Sequence, residues 1–504
     1  MNKKLLALIG VIATLTVLFA ACGTPATPAA PQVIKETVVV PVQQTVVSTI
    51  KETVTVKETV QVEAPQATPA PDKVQIYWYI GLGAGAQPAQ IPLEKAWVEK
   101  FNKSQDRIQL IPVIVDNKYA RDNLTAQLAA DNAPDIVGPV GTAGRAAFPG
   151  QFLDLAPLVK ETNYDMTGVD PAFLEFYKGE GGDLEGLPFA IFPSAVYVNK
   201  DIFKEAGLNL PPQKLGEKYK WPDGTEEEWN FDTIAKVARK LTVDKAGNDA
   251  TSPNFDRNNI VQWGYNMQWN DDPRAFGTYF CAHYPVKDGK ADIPECWTEA
   301  FKWYYDAIWG KQPFMPNQAA IDSDLLKGNA FSSGKVGMAE THLWYTCCID
   351  KKNVPNWDVA VVPSYNGKVT SKMHGDTFAI MKGTKHPKEA FEVYKYMLGE
   401  GSADLYTIYG GLPARTSQQA DFFKKLDENF APNKANWQVF LDMIPFLDAP
   451  NHELGLPNNS KANDAFNKLG SDFRSNGKLD VEKRIQEFID ELNKIYSEQA
   501  GASN

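Results

Sequence analysis

Val74-Gln-Ile-Tyr-Trp-Tyr-Ile80 runs directly into the glycine-rich segment Gly81-Leu-Gly-Ala-Gly85. β-Branched and aromatic residues ending at a glycine turn predict a strand. Pro92 suits a helix start, and Leu93, Trp97 and Phe101 then fall on one face. Ile108 to Val115 reads as a second strand, Tyr119 to Ala130 as a helix with Leu124 and Leu128 four apart, and Asp135 to Val140 as a third strand. Strands alternating with helices imply a mostly parallel sheet covered on both faces. The grammar returns at Phe378 to Met381, a short strand, and at Pro387 to Leu398, a helix with Ala390, Val393 and Met397 apolar. Further helices are predicted at Phe231 to Leu241, Pro294 to Trp309 and Val481 to Tyr496. The chain is therefore α/β, with at least two lobes.

Upstream, Lys3 and Lys4 precede an apolar run from Leu5 to Ala20, the pattern of an export signal. Phe19-Ala20-Ala21-Cys22 resembles a bacterial lipobox, in which the cysteine becomes the lipidated first residue. The lipobox pattern prefers Leu where Phe19 stands. Residues 1–21 are thus expected to be a lipoprotein signal peptide, and 22–72 a lipid anchor and low-complexity spacer. Pro, Ala and Thr dominate both ends of that spacer, and Lys-Glu-Thr-Val recurs at 35–38, 51–54 and 57–60. It is almost empty of aromatics and cannot bury a core. No other stretch is long and apolar enough to span a bilayer, so membrane contact is expected through the anchor only.

The chain has 51 basic and 62 acidic residues, a formal charge of −11, which argues against nucleic acid as a partner. Cys281, Cys296, Cys347 and Cys348 allow three pairings in an oxidising compartment. Cys281 with Cys296 is the favoured pair, leaving Cys347 and Cys348 as a vicinal disulfide or free thiols. Gly81 to Ala86 matches a loose dinucleotide fingerprint, but Gln87 to Gln90 separate its last small residue from the helix. Gly328 to Lys335 has one residue too many for a phosphate loop, and Ser332-x-x-Lys335 lacks its partner motifs. The five histidines, His283, His342, His374, His386 and His452, form no H-E-x-x-H and no helical pair. They are expected to be structural, with no metal and no cofactor. The acidic stretch Asp244 to Asn259 lacks EF-hand spacing and reads as a polar turn.

The aromatic residues carry more. Trp78, Tyr79, Trp263, Trp269, Trp344 and Tyr345 fall at predicted strand and loop edges, several near Asp271, Asp272 or Glu340. A sugar site needs flat aromatic surface beside carboxylate or amide groups. Trp97, Trp303 and Trp309 stand at helical spacing and belong to the core.

Ala133-Pro-Asp-Ile-Val137, Gly186-Leu-Pro-Phe-Ala190 and Tyr197-Val-Asn-Lys-Asp-Ile-Phe203 resemble the family-one extracellular solute-binding proteins, which include maltose-binding protein. Ala206-Gly-Leu208, Phe331, Ser333-Gly-Lys-Val336, Met338, Lys385-His-Pro387, Ala390-Phe391 and Gly410-Gly-Leu-Pro-Ala-Arg415 continue the likeness in family order. The resemblance implies a two-lobed periplasmic-binding-protein-like fold (class II), with a ligand cleft between lobes. One lobe would hold 73–190 plus 376–425 and the other 191–372 plus 430–498. It implies capture of a mono- or oligosaccharide by hinge closure and delivery to the permease and ATPase of an ABC importer, by a monomer that is not an enzyme. Trp344 takes the place of a sugar-stacking tryptophan, and Phe192 that of a carboxylate in the maltose-binding member. Trp78, Tyr79 and Asp376 are further cleft candidates. Trp263, Trp269, Asp271 and Tyr345 rest on the aromatic argument. The competing readings are a secreted carbohydrate-active enzyme, a receptor that reports to a sensor, and a binding protein for a polyol, peptide or polyamine.

Overall fold

A computed structural model describes residues 73–502 apart from 170, 175–176 and 180–181. Cys22, the signal peptide and the spacer lie outside the described residues. One ten-stranded sheet organises the rest. Its strands are β1 (Val74–Ile80), β2 (Ile108–Ile114), β3 (Ile136–Val140), β4 (Ala190–Asn199), β5 (Val243–Asp244), β6 (Ile260–Met267), β7 (Val336–His342), β8 (Trp357–Ala360), β9 (Met373–Ile380) and β10 (Leu412–Pro413). The path runs β2-β1-β3-β9-β4-β7-β6-β5, with β8 and β10 also pairing β4.

β1 lies parallel to β2 from Val74↔Ile108 to Ile80↔Ile114, and parallel to β3 at Trp78↔Ile136. Helices α1 (Ile91–Ser104) and α2 (Asn117–Ala129) return the chain between them, as parallel pairing requires. β4 and β9 then carry the chain from one half of the sheet to the other. β9 pairs β3 through Thr377–Ile380 and β4 through Met373–Asp376. Every residue of β4 is buried, and the strand pairs on with β7 and β8. The second half adds α3 (Phe231–Leu241), α4 (Pro273–Phe280) and α5 (Glu295–Trp309). Later come α6 (Pro387–Leu398), α7 (Ser402–Tyr409), α8 (Gln419–Phe430), α9 (Asn459–Ser475) and α10 (Val481–Ala502).

Some sequence expectations need correction. α1 starts at Ile91, and its buried face is Glu94, Trp97, Val98 and Phe101, which turns Leu93 out to solvent. The short strand expected at Phe378 is eight residues long, because His374, Gly375 and Asp376 extend it despite their weak strand propensity. Gly81 and Gly83 of the loop serve a turn: Asn117 Nδ2 donates to Gly81 O at 2.8 Å and to Gly83 O at 2.6 Å. A side chain on Gly83 would meet the Pro139 carbonyl. The Asp244–Asn259 carboxylates are taken up by local backbone, Asp244 accepting from Ala246 N, Asn248 N and Asp256 N. Among the described residues no helix is long and apolar enough to cross a membrane.

Candidate functional site

The crossing of β4 and β9 builds the site. His374 stands opposite Phe192 and His342 opposite Ser194, so the two histidines come from strands on either side of β4. Their rings meet with centroids 3.9 Å apart. His452 arrives from a loop stitched to the start of β9. Asp448 accepts from Met373 N at 2.8 Å, and Asn451 Nδ2 donates to Met373 O at 2.9 Å. The same Asp448 accepts from His452 N at 2.8 Å and meets His452 Nδ1 at 2.7 Å. With Nδ1–H given to that carboxylate, the lone pair of His452 lies on Nε2. Nε2 faces His374 Nε2 at 3.2 Å.

A cavity of about 210 Å³ opens here, lined by His374, His452, Glu453, Lys372, Arg274 and Trp269 among others. Asn270, Asp272, Asn459, Asn463 and Asn467 complete its polar wall. Asp272 caps α4 by accepting from Ala275 N at 3.0 Å, which sets Arg274 in the first turn, where it donates to Leu454 O at 2.7 Å. Lys372 has no exposed surface; its Nζ donates to Asn270 Oδ1 at 2.7 Å and sits over the Tyr279 ring. An ammonium out of water is disfavoured, and burial lowers Lys372 to about 8, with Asp272 and Asp448 opposing. Burial raises Asp448 to about 7, although hydrogen bonds from His452 N and Met373 N pull it down. It raises Asp376 to about 7 as well, helped by the nearby Glu453 carboxylate. Asp376 and Glu453 crowd Gly141, each with an oxygen 3.3 Å from where a Cβ would stand. Burial also holds His342 and His452 well below the usual imidazole range, and His374 below it.

Of the residues singled out from sequence, Trp269, Trp344 and Tyr345 come together. Trp269 is 47% exposed and lies nearly parallel to Trp344, with centroids 6.0 Å apart. Tyr345 meets Trp269 edge-on at 5.5 Å but is itself buried, its hydroxyl donating to Asn329. Trp344 continues the stack onto His342 at 5.7 Å. Asp271 lines a second cavity of about 210 Å³ that shares Trp269, and is ion-paired with Arg474 at 3.0 Å.

The structure sets four candidates elsewhere. Trp78 is fully buried, donating to Gly138 O at 2.7 Å and packing edge-on against Trp97 and Phe378. Tyr79 is fully buried on the opposite face of β1 and donates to Ala120 O at 2.7 Å. Strand alternation sends one ring into each layer, and both layers are covered. Trp263 packs with Leu326, Ala330 and Val336. Phe192 is buried on β4, against Gly411. Cys281 is joined to Cys296 and Cys347 to Cys348.

Sequence reasoning did not anticipate the convergence of His342, His374 and His452, which it treated as separate structural residues. It also passed over Lys372, Arg274, Asp448, Glu453 and the asparagines of α9. The histidines stand 32 and 78 positions apart on two strands and a loop, so no local spacing signals them.

The model of the family described as "Bacterial extracellular solute-binding protein" matches residues 87–404. The sn-glycerol-3-phosphate-binding periplasmic protein UgpB of Brucella abortus (strain 2308) is 27% identical over 160 residues, 30% of this chain. The chain spans about a third of that relative's length, 34%. Among solved structures, the ABC substrate-binding protein Lmo0181 from Listeria monocytogenes, in complex with cycloalternan, superposes with a TM-score of 0.63 at 18% identity. That match covers 84% of this chain and 99% of the other. The sugar-binding protein MalE of Xanthomonas citri gives 0.62 at 15% identity, over 85% and 99%. These likenesses carry the fold, a two-lobed α/β architecture of the periplasmic-binding-protein (class II) kind. The family match covers well over half of the sequence, and this chain belongs to the bacterial extracellular solute-binding proteins.

Proposed function

We propose that the chain captures a sugar, a mono- or oligosaccharide, in the cavity at the β4–β9 crossing and delivers it to the permease of an ABC importer. The observation that carries this reading is the bared indole of Trp269, backed by Trp344, on the wall of a cavity otherwise rich in amides and charged groups. Apolar C–H faces of a sugar ring stack on indole, while its hydroxyls bond Asn270, Asn463, Asp272 or Glu453. The two segments 73–190 plus 376–425 and 191–372 plus 430–498 act as lobes, with β4 and β9 as the hinge. A ligand touching both favours the closed state in proportion to its contacts there. The chain works as a monomer outside the cytoplasm, held to the membrane by lipid on Cys22, and returns its ligand unchanged.

A phosphorylated polyol is the second reading. It is supported by Lys372 and Arg274 on the cavity wall and by the ligand in the name of the Brucella relative. A thermal-shift screen against sugars, polyols and their phosphates separates the two. A ligand at a hundred times its Kd adds about 2.7 kcal/mol. A shift with neutral sugars that is reduced in Trp344→Ala supports the first reading. A shift with phosphates alone, lost in Lys372→Met, replaces it with the second. Incubation with oligosaccharides and analysis for cleavage products tests the absence of catalysis, and any product overturns it.

A further inference from the structure

We propose that His374, His452 and Glu453 form a binding site for one divalent transition-metal ion of the zinc type, with Asp448 holding His452 from behind. The donor atoms of the three residues all lie within 4.8 Å of one another. All three line the cavity, so a fourth coordination position would open towards it. This inference does not rest on the sugar reading.

Three observations support it. The first is the separation of the two imidazole nitrogens. Zinc holds nitrogen at about 2.0–2.1 Å, so two nitrogens in a tetrahedral set stand about 3.3 Å apart. His374 Nε2 and His452 Nε2 are 3.2 Å apart. The second is the group behind the ligand. A metal-bound histidine usually gives its other N–H to a carboxylate, which fixes the tautomer and aims the lone pair at the ion. Asp448 stands 2.7 Å from His452 Nδ1 and is fixed by Met373 N and Asn451. The third is an unmet oxygen: Glu453 Oε2 is buried with no hydrogen-bond partner among the described residues. A bound cation would satisfy it.

Charged groups of both signs stand around the cluster. Asp448, Glu453, Asp272 and Asp376 stand against Lys372 and Arg274. Two imidazoles and one carboxylate suit zinc and its neighbours, whereas magnesium asks for six oxygens in an octahedron. A hydrogen bond between the two imidazoles would explain the 3.2 Å separation but would leave Glu453 Oε2 unpartnered.

The test is a calorimetric titration of the chelator-stripped full chain with Zn²⁺, with Mg²⁺ as comparison and circular dichroism to establish folding. One Zn²⁺ per chain is expected, with no heat from Mg²⁺. His374→Ala and Glu453→Gln should each weaken Zn²⁺ binding by about tenfold or more, and Asp448→Asn by about 10–100-fold. His283→Ala, on a histidine paired instead with Asp292, should leave it unchanged. No Zn²⁺ binding by the folded chain overturns the proposal, as does affinity that survives in both His374→Ala and Glu453→Gln. Glu453→Gln keeps the site's shape, so the test stands even if His374→Ala fails to fold. Sugar binding measured in chelator fails or succeeds independently of this result.

Discussion

Trp78 and Trp269 are the same side chain in opposite settings. Trp78 has no exposed surface and gives its N–H to the Gly138 carbonyl inside the first half of the sheet. Trp269, at a positive φ of 55° just beyond β6, gives its N–H to Gly328 O at 3.1 Å and keeps nearly half of its surface bare. One ring fills a layer between strands and helices. The other is presented to solvent by a loop, on the rim of two cavities. The contrast shows strand alternation burying one ring between covered layers, and a turn baring the other.

The sharpest way to break that comparison is to truncate both rings. Trp78→Ala should cost about 3–5 kcal/mol, by lost burial and the cavity left behind. A denaturant titration checks it, and a loss below about 1 kcal/mol would mean that the core closes over the gap. Trp269→Ala should leave the melting point nearly unchanged, while Trp344→Ala, whose ring is partly buried against the core, should lower it modestly. Each should weaken solute binding about 3–10-fold, the value of one aromatic contact. If either change unfolds the protein instead, the rings belong to the core and the comparison collapses.

A second contrast lies in titration. Glu340 on β7 is wholly buried, hydrogen-bonded by Tyr265, and raised by burial to about 7. Between its unfolded value near 4.5 and about 7 the folded state holds the extra proton. Its contribution to stability is therefore full at low pH and falls as pH rises through that window. Glu340→Gln should remove this fall, seen as a flatter stability curve from pH 5 to 8 than in the parent chain. The lowered histidines work in the opposite sense, because the unfolded chain takes up protons that the folded one refuses. His342→Gln should therefore lessen the stability lost on acidification.

The smallest effect is expected at Cys347–Cys348. These residues are adjacent, so the bond closes almost no loop and constrains the unfolded chain very little. Replacing both with Ser should change stability by less than about 0.5 kcal/mol. Cys281–Cys296 spans 15 residues, and its loss should cost about 3 kcal/mol. Thermal melts of the two double variants compare them directly.

Much of the fold was legible. β1, β2, β3 and the helices between them followed from apolar runs and glycine turns, because burial on both faces of a parallel sheet writes itself as local hydrophobic pattern. Helical spacing alone marks Trp97, Trp303 and Trp309 as core; Trp97 is buried, while Trp303 and Trp309 are partly buried and pack against the core. The site was less legible. Trp344 stood out through the resemblance and Trp269 through its neighbours, but Trp78 and Tyr79 looked no different in sequence and are core.

By itself, then, the sequence determined the α/β class and the order of elements, since periodicity and turn chemistry are properties of neighbouring residues. The meeting of His342 and His374 with His452, which Asp448 holds from behind, was decided only in three dimensions. It depends on β9 crossing beside β4 and on a loop near residue 450 pinned to Met373. Those contacts join residues tens of positions apart, and their selection is made by the burial and hydrogen bonding of the whole sheet.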